Sequence, residues 1–272
     1  EVIERGRIDV QEADPDEVAP LADAARDEAE LEETGGGKGE ARALAGLPGE
    51  MGAAQRRRTA FGSAFHSACE WMAERARLVP VAAPGEAGQE RLRRFTMPDE
   101  TRLSQLMHAW EVDEGQRDRL VAALRRWHDS SVAVEALSYP TVEPEAALFV
   151  TLIGPQGEPL HLNGSIDLFC HDARRPAASQ RALIVDYKTG GTSRDTPESL
   201  HEKHLLQANC YAYAALRQGY AGIDLRFVRV EQPVGAGSDE PQVVSYAFDA
   251  DEVETVAATI RAAYGKARAA RG

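Results

Sequence analysis

The stretch from Gly164 to Lys188 leaves this chain few ways to fold. It reads Gly-Ser-Ile-Asp-Leu-Phe-Cys, then a polar run, then Leu-Ile-Val-Asp-Tyr-Lys. Apolar and β-branched residues crowd both ends, while Asp172 to Gln180 holds a proline, charges and small residues, the pattern of two strands joined by a loop. A hairpin is expected. Side chains alternate across a strand, so Asp186 and Lys188 must leave one face while Val185 and Tyr187 leave the other. Each strand sends a carboxylate out of an otherwise apolar run, and pairing the strands brings Asp167 towards Asp186. Two half-buried acids repel unless a cation lies between them, and hard divalent ions take carboxylates together with water and phosphate oxygens. The pattern points to a divalent metal site with Lys188 beside it. A surface ion pair between Asp186 and Lys188 is the alternative that this segment alone leaves open.

Burying such a site needs a sizeable core, and 272 residues at 43% hydrophobic suffice for one large domain or two small ones. No run of apolar residues is long enough to span a bilayer and no charged-then-apolar leader is visible, so neither a membrane span nor a secretory leader is expected. Cys69, Cys170 and Cys210 lie far apart without a C-x-x-C pair, so no disulfide framework and no iron–sulfur cluster is expected. A reducing, cytoplasmic setting fits, with the thiols as small buried hydrophobes. The formal charge of −13 argues against coating nucleic acid by bulk electrostatics. It leaves room for a local, cation-charged cleft that binds phosphate within a negative field.

Residues 1–55 are acidic and contain the run Thr-Gly-Gly-Gly-Lys-Gly from Thr34, which reads as short helical pieces and a mobile tether. That run is no nucleotide loop, because Lys38 precedes Gly39 where a phosphate loop needs Gly-Lys followed by Ser or Thr. Phe61, Phe65, Ala68, Cys69 and Met72 recur at helical spacing and predict a helix to about Arg77, with His66 beside the apolar stripe and Glu70 one turn on as its solvent-side neighbour. A second helix starts at Pro98, a third covers Gly115 to Asp129 with Arg117, Arg119, Arg125 and Arg126 on its solvent face, and a short fourth covers Ser131 to Leu137. From Tyr139 the pattern is that of strands. Glu145 heads the first, before Ala-Ala-Leu-Phe-Val-Thr-Leu. After Lys188, Pro197 opens a helix to about Gly219 that places Gln207 and Tyr211 on one face. Two further strands, Asp224 to Glu231 and Val243 to Phe248, precede a capping box of Asp249 and Glu252 that opens the last helix. The sum is an α/β or α+β domain with a helical N-terminal half, a mostly antiparallel sheet, and the candidate acids on its central strands.

In this order, Gly62-x-x-x-His66, Glu145 before a strand, Gly164-Ser-Ile-Asp167, Asp186-Tyr-Lys188-Thr-Gly190 and Gln207-x-x-x-Tyr211 resemble the RecB-type nuclease domain of the PD-(D/E)xK superfamily, the C-terminal part of RecB and AddA helicase–nucleases. The resemblance covers residues 56 to 270 and implies a restriction-endonuclease-like core, a central mixed sheet flanked by helices. Residues 56–272 would form the nuclease domain, helical over 56–138 and carrying the catalytic sheet over 139–272. It implies that His66, Asp167 and Asp186 hold Mg²⁺ or Mn²⁺, one or two ions, with Glu145 as a further acid. Lys188 would activate or orient the attacking water and offset charge on the phosphate, and Gln207 and Tyr211 would line the DNA path. Lack of the four cluster cysteines found in AddB favours the AddA or RecB branch. The family more often has a proline before its aromatic where this chain has Glu145-Ala-Ala-Leu. The implied activity is metal-dependent hydrolysis of DNA, by an exonuclease domain acting in double-strand break repair on single-stranded ends fed by a helicase motor in the same parent chain or complex. A catalytically silent docking module and a stand-alone endonuclease are the competing expectations.

Overall fold

The computed structural model describes residues 53–80, 91–191, 195–235 and 237–271. The tether expected over 1–55 lies outside these residues, apart from 53–55 at the start of the first helix. The helical half comprises α1 (Ala53–Glu74), α2 (Glu100–Ala109), α3 (Arg117–His128) and α4 (Ser131–Ser138), with a short hairpin of β1 (Arg77–Pro80) and β2 (Arg91–Arg94) after α1. Local chemistry starts these helices. Asp99 accepts the Arg102 N–H at 2.8 Å and Ser130 accepts the Ala133 N–H at 3.1 Å, each satisfying a donor that the first helical turn leaves without a partner. The β1–β2 hairpin has no sequence signal, because four-residue strands as basic as Arg-Leu-Arg-Arg show no alternation.

The remaining elements build one sheet from β3 (Thr141–Ile153), β4 (Pro159–His171), β5 (Arg181–Lys188), β6 (Gly222–Pro233) and β7 (Pro241–Asp249), in that spatial order. Neighbours are antiparallel except β5 and β6, which are parallel. A parallel pair needs a long crossover, and α5 (Pro197–Arg217) supplies it. Thr196 and Ser199 close a capping box at its start, and the box expected from Asp249 and Glu252 opens a short 3₁₀ turn that leads into α6 (Val253–Arg271). This is the expected α+β architecture, a mixed five-stranded sheet between helical layers.

Two cores lie on the two faces of the sheet. Phe61, Phe65, Met72, Leu120 and Trp127 of α1 and α3 pack on Leu168, Leu183 and Val185, and α5 and α6 pack on Leu148, Leu162, Ile184 and Phe227. Each such large side chain fully removed from water contributes about 1.5–3 kcal/mol. Strict alternation fails at one row. Val142 and Leu168 face the α1 side, yet Ala146 and Ile166, at positions that should share their face, pack on the α5 side. Both strands change face where Glu145 stands opposite Asp167, between the pairs Pro144–Leu168 and Ala146–Ile166. Glu145 takes φ 47°, a left-handed backbone that glutamate rarely adopts. A strained row of two acids thus marks the place where the sheet changes hands between its helical layers.

Candidate metal centre

His66 reaches this row because α1 lies close on the chain after β5. Gly62, four residues before it, makes the approach possible: a Cβ there would stand 3.2 Å from Thr189 Oγ1. From α1, His66 Nδ1 meets Asp167 Oδ1 at 3.1 Å. The other oxygen, Oδ2, accepts the Tyr187 N–H at 2.7 Å, just past the Leu168–Val185 pair where the backbone ladder between β4 and β5 ends. The side chain takes over from the ladder and so cannot swing away. Among the described residues, His66, Glu145 and Asp167 place potential ligand atoms within 4.8 Å of one another.

Asp186 stands one strand over and is used differently. Val185 and Tyr187 belong to the core under α1, so alternation turns Asp186 and Lys188 towards α5, as the sequence pattern requires. Lys188 Nζ lies 2.7 Å from Asp186 Oδ1. The contact lacks hydrogen-bond geometry, and Asp186 Oδ1 is a buried oxygen with no hydrogen bond. Charge holds that pair. Asp186 Oδ2 accepts from Gln207 Nε2 at 3.0 Å and from the Tyr211 hydroxyl at 2.9 Å, while Gln207 Oε1 accepts from Lys188 Nζ at 2.9 Å. Gln207 and Tyr211 are both 4% exposed. This pair lies beneath Asp186 and Lys188 and fixes their positions.

The field around the row is negative. Burial first, and then the charges of Asp167 and Glu145, push the Cys69 thiol well up. Burial and the same two acids, together with nearby Cys69 and Cys170, do likewise to the Tyr187 hydroxyl. Glu70 is raised by burial, then by Glu145 and Glu74. Cys69, Tyr187 and Glu70 all resist gaining negative charge, as expected beside carboxylates packed closely together. On the α5 side, His204 is stacked on Phe227 with ring centroids 4.9 Å apart, and burial, then the Lys188 charge, lower its pKa to about 3. It is neutral beside the lysine. Cys69, Cys170 and Cys210 are buried, unpaired, and raised by burial, in keeping with small core side chains.

Some participants carry no signal in the sequence. Glu231 accepts from the Gly190 N–H and from Arg119, which pins the loop after Lys188. Gly190 and Gly191 turn that loop with φ 80° and 89°. Arg119 also lies over the Phe61 ring at 4.0 Å, Arg117 pairs with Glu100, and Arg126 donates to the Val230 carbonyl at 2.7 Å. Three of the four arginines expected on a solvent face are therefore bound within the fold, because the β6 end and α2 bring acceptors to α3.

Comparison with known proteins places the chain in a family. The sequence model described as the PD-(D/E)XK nuclease superfamily matches residues 40–272. No curated protein matches the chain. Among solved structures, Candida albicans Rai1 in complex with pU5-Mn²⁺ aligns at 14% identity with a TM-score of 0.21, over 89% of this chain and 60% of that one. A likeness so slight carries no argument about fold or chemistry. Among the described residues, no helix is long and apolar enough to cross a membrane.

Proposed function

The chain belongs to the PD-(D/E)XK nuclease superfamily, and from that premise we propose that it is a metal-dependent deoxyribonuclease, the exonuclease domain of an AddA- or RecB-like helicase–nuclease that trims single-stranded ends in DNA break repair. The observation that carries this reading is the convergence of His66, Glu145 and Asp167 within 4.8 Å, on a row adjoining the Asp186–Lys188 pair. The carboxylates suit Mg²⁺ or Mn²⁺, and the imidazole adds a softer donor beside them. Asp186 Oδ1, buried without a hydrogen bond and faced by Lys188 Nζ at 2.7 Å, is the oxygen that this assignment shares between the lysine and the ion. In this assignment His66, Asp167 and Asp186 hold the ion and Glu145 adds a fourth ligand. Bound there, Mg²⁺ or Mn²⁺ would lower the pKa of a water and polarise a phosphoryl oxygen.

The chain's own groups do the rest. Asp167, locked by Tyr187 N–H, fixes where the scissile phosphate must sit. Lys188, the ammonium next to the acids, holds the attacking water and offsets the charge that grows on the phosphate. Gln207 and Tyr211 hold Asp186 by two hydrogen bonds, so its carboxylate and the lysine keep one arrangement. End-labelled single- and double-stranded DNA, incubated with the chain and Mg²⁺ or Mn²⁺, is expected to yield stepwise products from single strands, and none after chelation. Cleavage that survives the chelator would refute the metal mechanism. Internal fragments would point to a stand-alone endonuclease, and no cleavage under any metal would point to a docking module.

A further inference from the structure

Beside the centre, between α1 and α2, lies a concavity of about 350 Å³. From α1 come Ser67, Glu70 and Trp71; from α2 come Arg102 and Gln105, and Trp110 stands at the end of α2. The concavity begins at the residue after His66. Its lining is unusual for a surface cleft. Trp110 is 42% exposed and yet fixed, since its Nε1 donates to Ser67 Oγ at 3.0 Å. Trp71 carries the Arg75 and Arg102 guanidinium groups over its ring at 4.5 and 5.9 Å. Arg102 Nε is buried and makes no hydrogen bond. Glu70 offers a carboxyl that burial, then Glu145 and Glu74, make reluctant to ionise.

The Arg102 guanidinium lies over Trp71, while the carboxyls of Glu70 and Glu74, the Gln105 amide and the exposed Trp110 ring suit a flat heterocycle that carries N–H donors. We propose that this concavity receives one nucleobase of the substrate strand, stacked on Trp110 with its exocyclic amino group donating to Glu70. The proposal rests on the nuclease reading for the identity of the strand. Glu70 stands four residues, about 6 Å along the helix axis, from His66, so the base held there belongs to a nucleotide beside the one being cleaved. Adenine and cytosine present an amino group, and thymine presents none. The pocket thereby sets a preference at a position flanking the scissile bond.

The test is a titration of the full chain, in chelator, with single strands of adenine, cytosine or thymine, followed by tryptophan fluorescence, alongside steady-state cleavage with Mn²⁺. Adenine and cytosine strands are expected to quench the wild type at lower concentration than thymine strands. Trp110→Ala should lose that quench and weaken binding about tenfold, a loss carried by KM, since stacking on an aromatic side chain dominates such contacts. Trp110→Phe keeps a ring and should recover most of the affinity, which excludes a folding defect. Glu70→Gln, whose amide can also donate to a base carbonyl, should keep the stacking and relax the preference for amino-bearing bases. Absence of quenching in the wild type, or KM and base preference unchanged in Trp110→Ala and Glu70→Gln, overturns the proposal. Lys188→Ala separates it from the nuclease reading, since the quench should persist there although cleavage is strongly slowed.

Discussion

Lys188→Ala is expected to slow phosphodiester cleavage about 10²–10³-fold, the usual loss when one group aimed at developing charge is removed. Lys188 Nζ stands 2.7 Å from Asp186 Oδ1 and 2.9 Å from Gln207 Oε1, in a site whose other named charges are acidic. Without it, no ammonium faces the phosphate from β5. Leaving a buried charge without its partner costs about 3–5 kcal/mol when nothing else supports it. Here Asp186 keeps hydrogen bonds from Gln207 and Tyr211, so the stability loss should be smaller than that range. Circular dichroism and urea unfolding should show a folded chain with little turnover. Lys188→Arg should not restore the rate, because a planar guanidinium cannot take the place of a compact point charge. Wild-type turnover in either variant would remove Lys188 from the mechanism.

Trp127→Ala should cost about 3–5 kcal/mol of stability, as for other large aromatic truncations in packed cores. Trp127 is fully buried, with its ring 5.5 Å from that of Phe95 and 4.8 Å from that of Tyr187. Its Nε1 makes no hydrogen bond, so the loss is one of packing alone. The consequence reaches the centre. Tyr187 stands edge-on to Phe65 at 5.7 Å and to His66 at 5.8 Å, and its N–H holds Asp167. A cavity behind Tyr187 loosens the row of acids, so metal affinity should fall together with the urea midpoint. A domain stable by only about 5–15 kcal/mol would lose a large share of that margin. Unfolding curves that overlay those of the wild type would show that the core does not brace the site.

The hairpin of Asp167 and Asp186, the faces of Val185, Asp186 and Tyr187, and the capping box of Asp249 and Glu252 were legible because each depends on near neighbours in the chain. Period-two alternation and a Ser, Thr or Asp at a helix start need no tertiary context. The parallel pairing of β6 on β5 was not legible, since β6 reads the same in either direction. The change of face at Glu145 was hidden for another reason: a left-handed φ is usually announced by glycine, and here a glutamate adopts it. Gln207 and Tyr211 could be placed on one helical face from their spacing, but spacing does not say what that face covers. Only the packing of α5 on β5 turns the pair into supports for Asp186 and Lys188.

The central claim is that His66, Glu145 and Asp167, with Asp186 on the next strand, close around one hard cation. Calorimetric titration of Mn²⁺ into the wild type and into Asp167→Asn tests it without recourse to any substrate. One site in the wild type, and heats no greater than dilution in the variant, are the predicted result. Equal binding by the two proteins, or none by the wild type up to millimolar Mn²⁺, would contradict it.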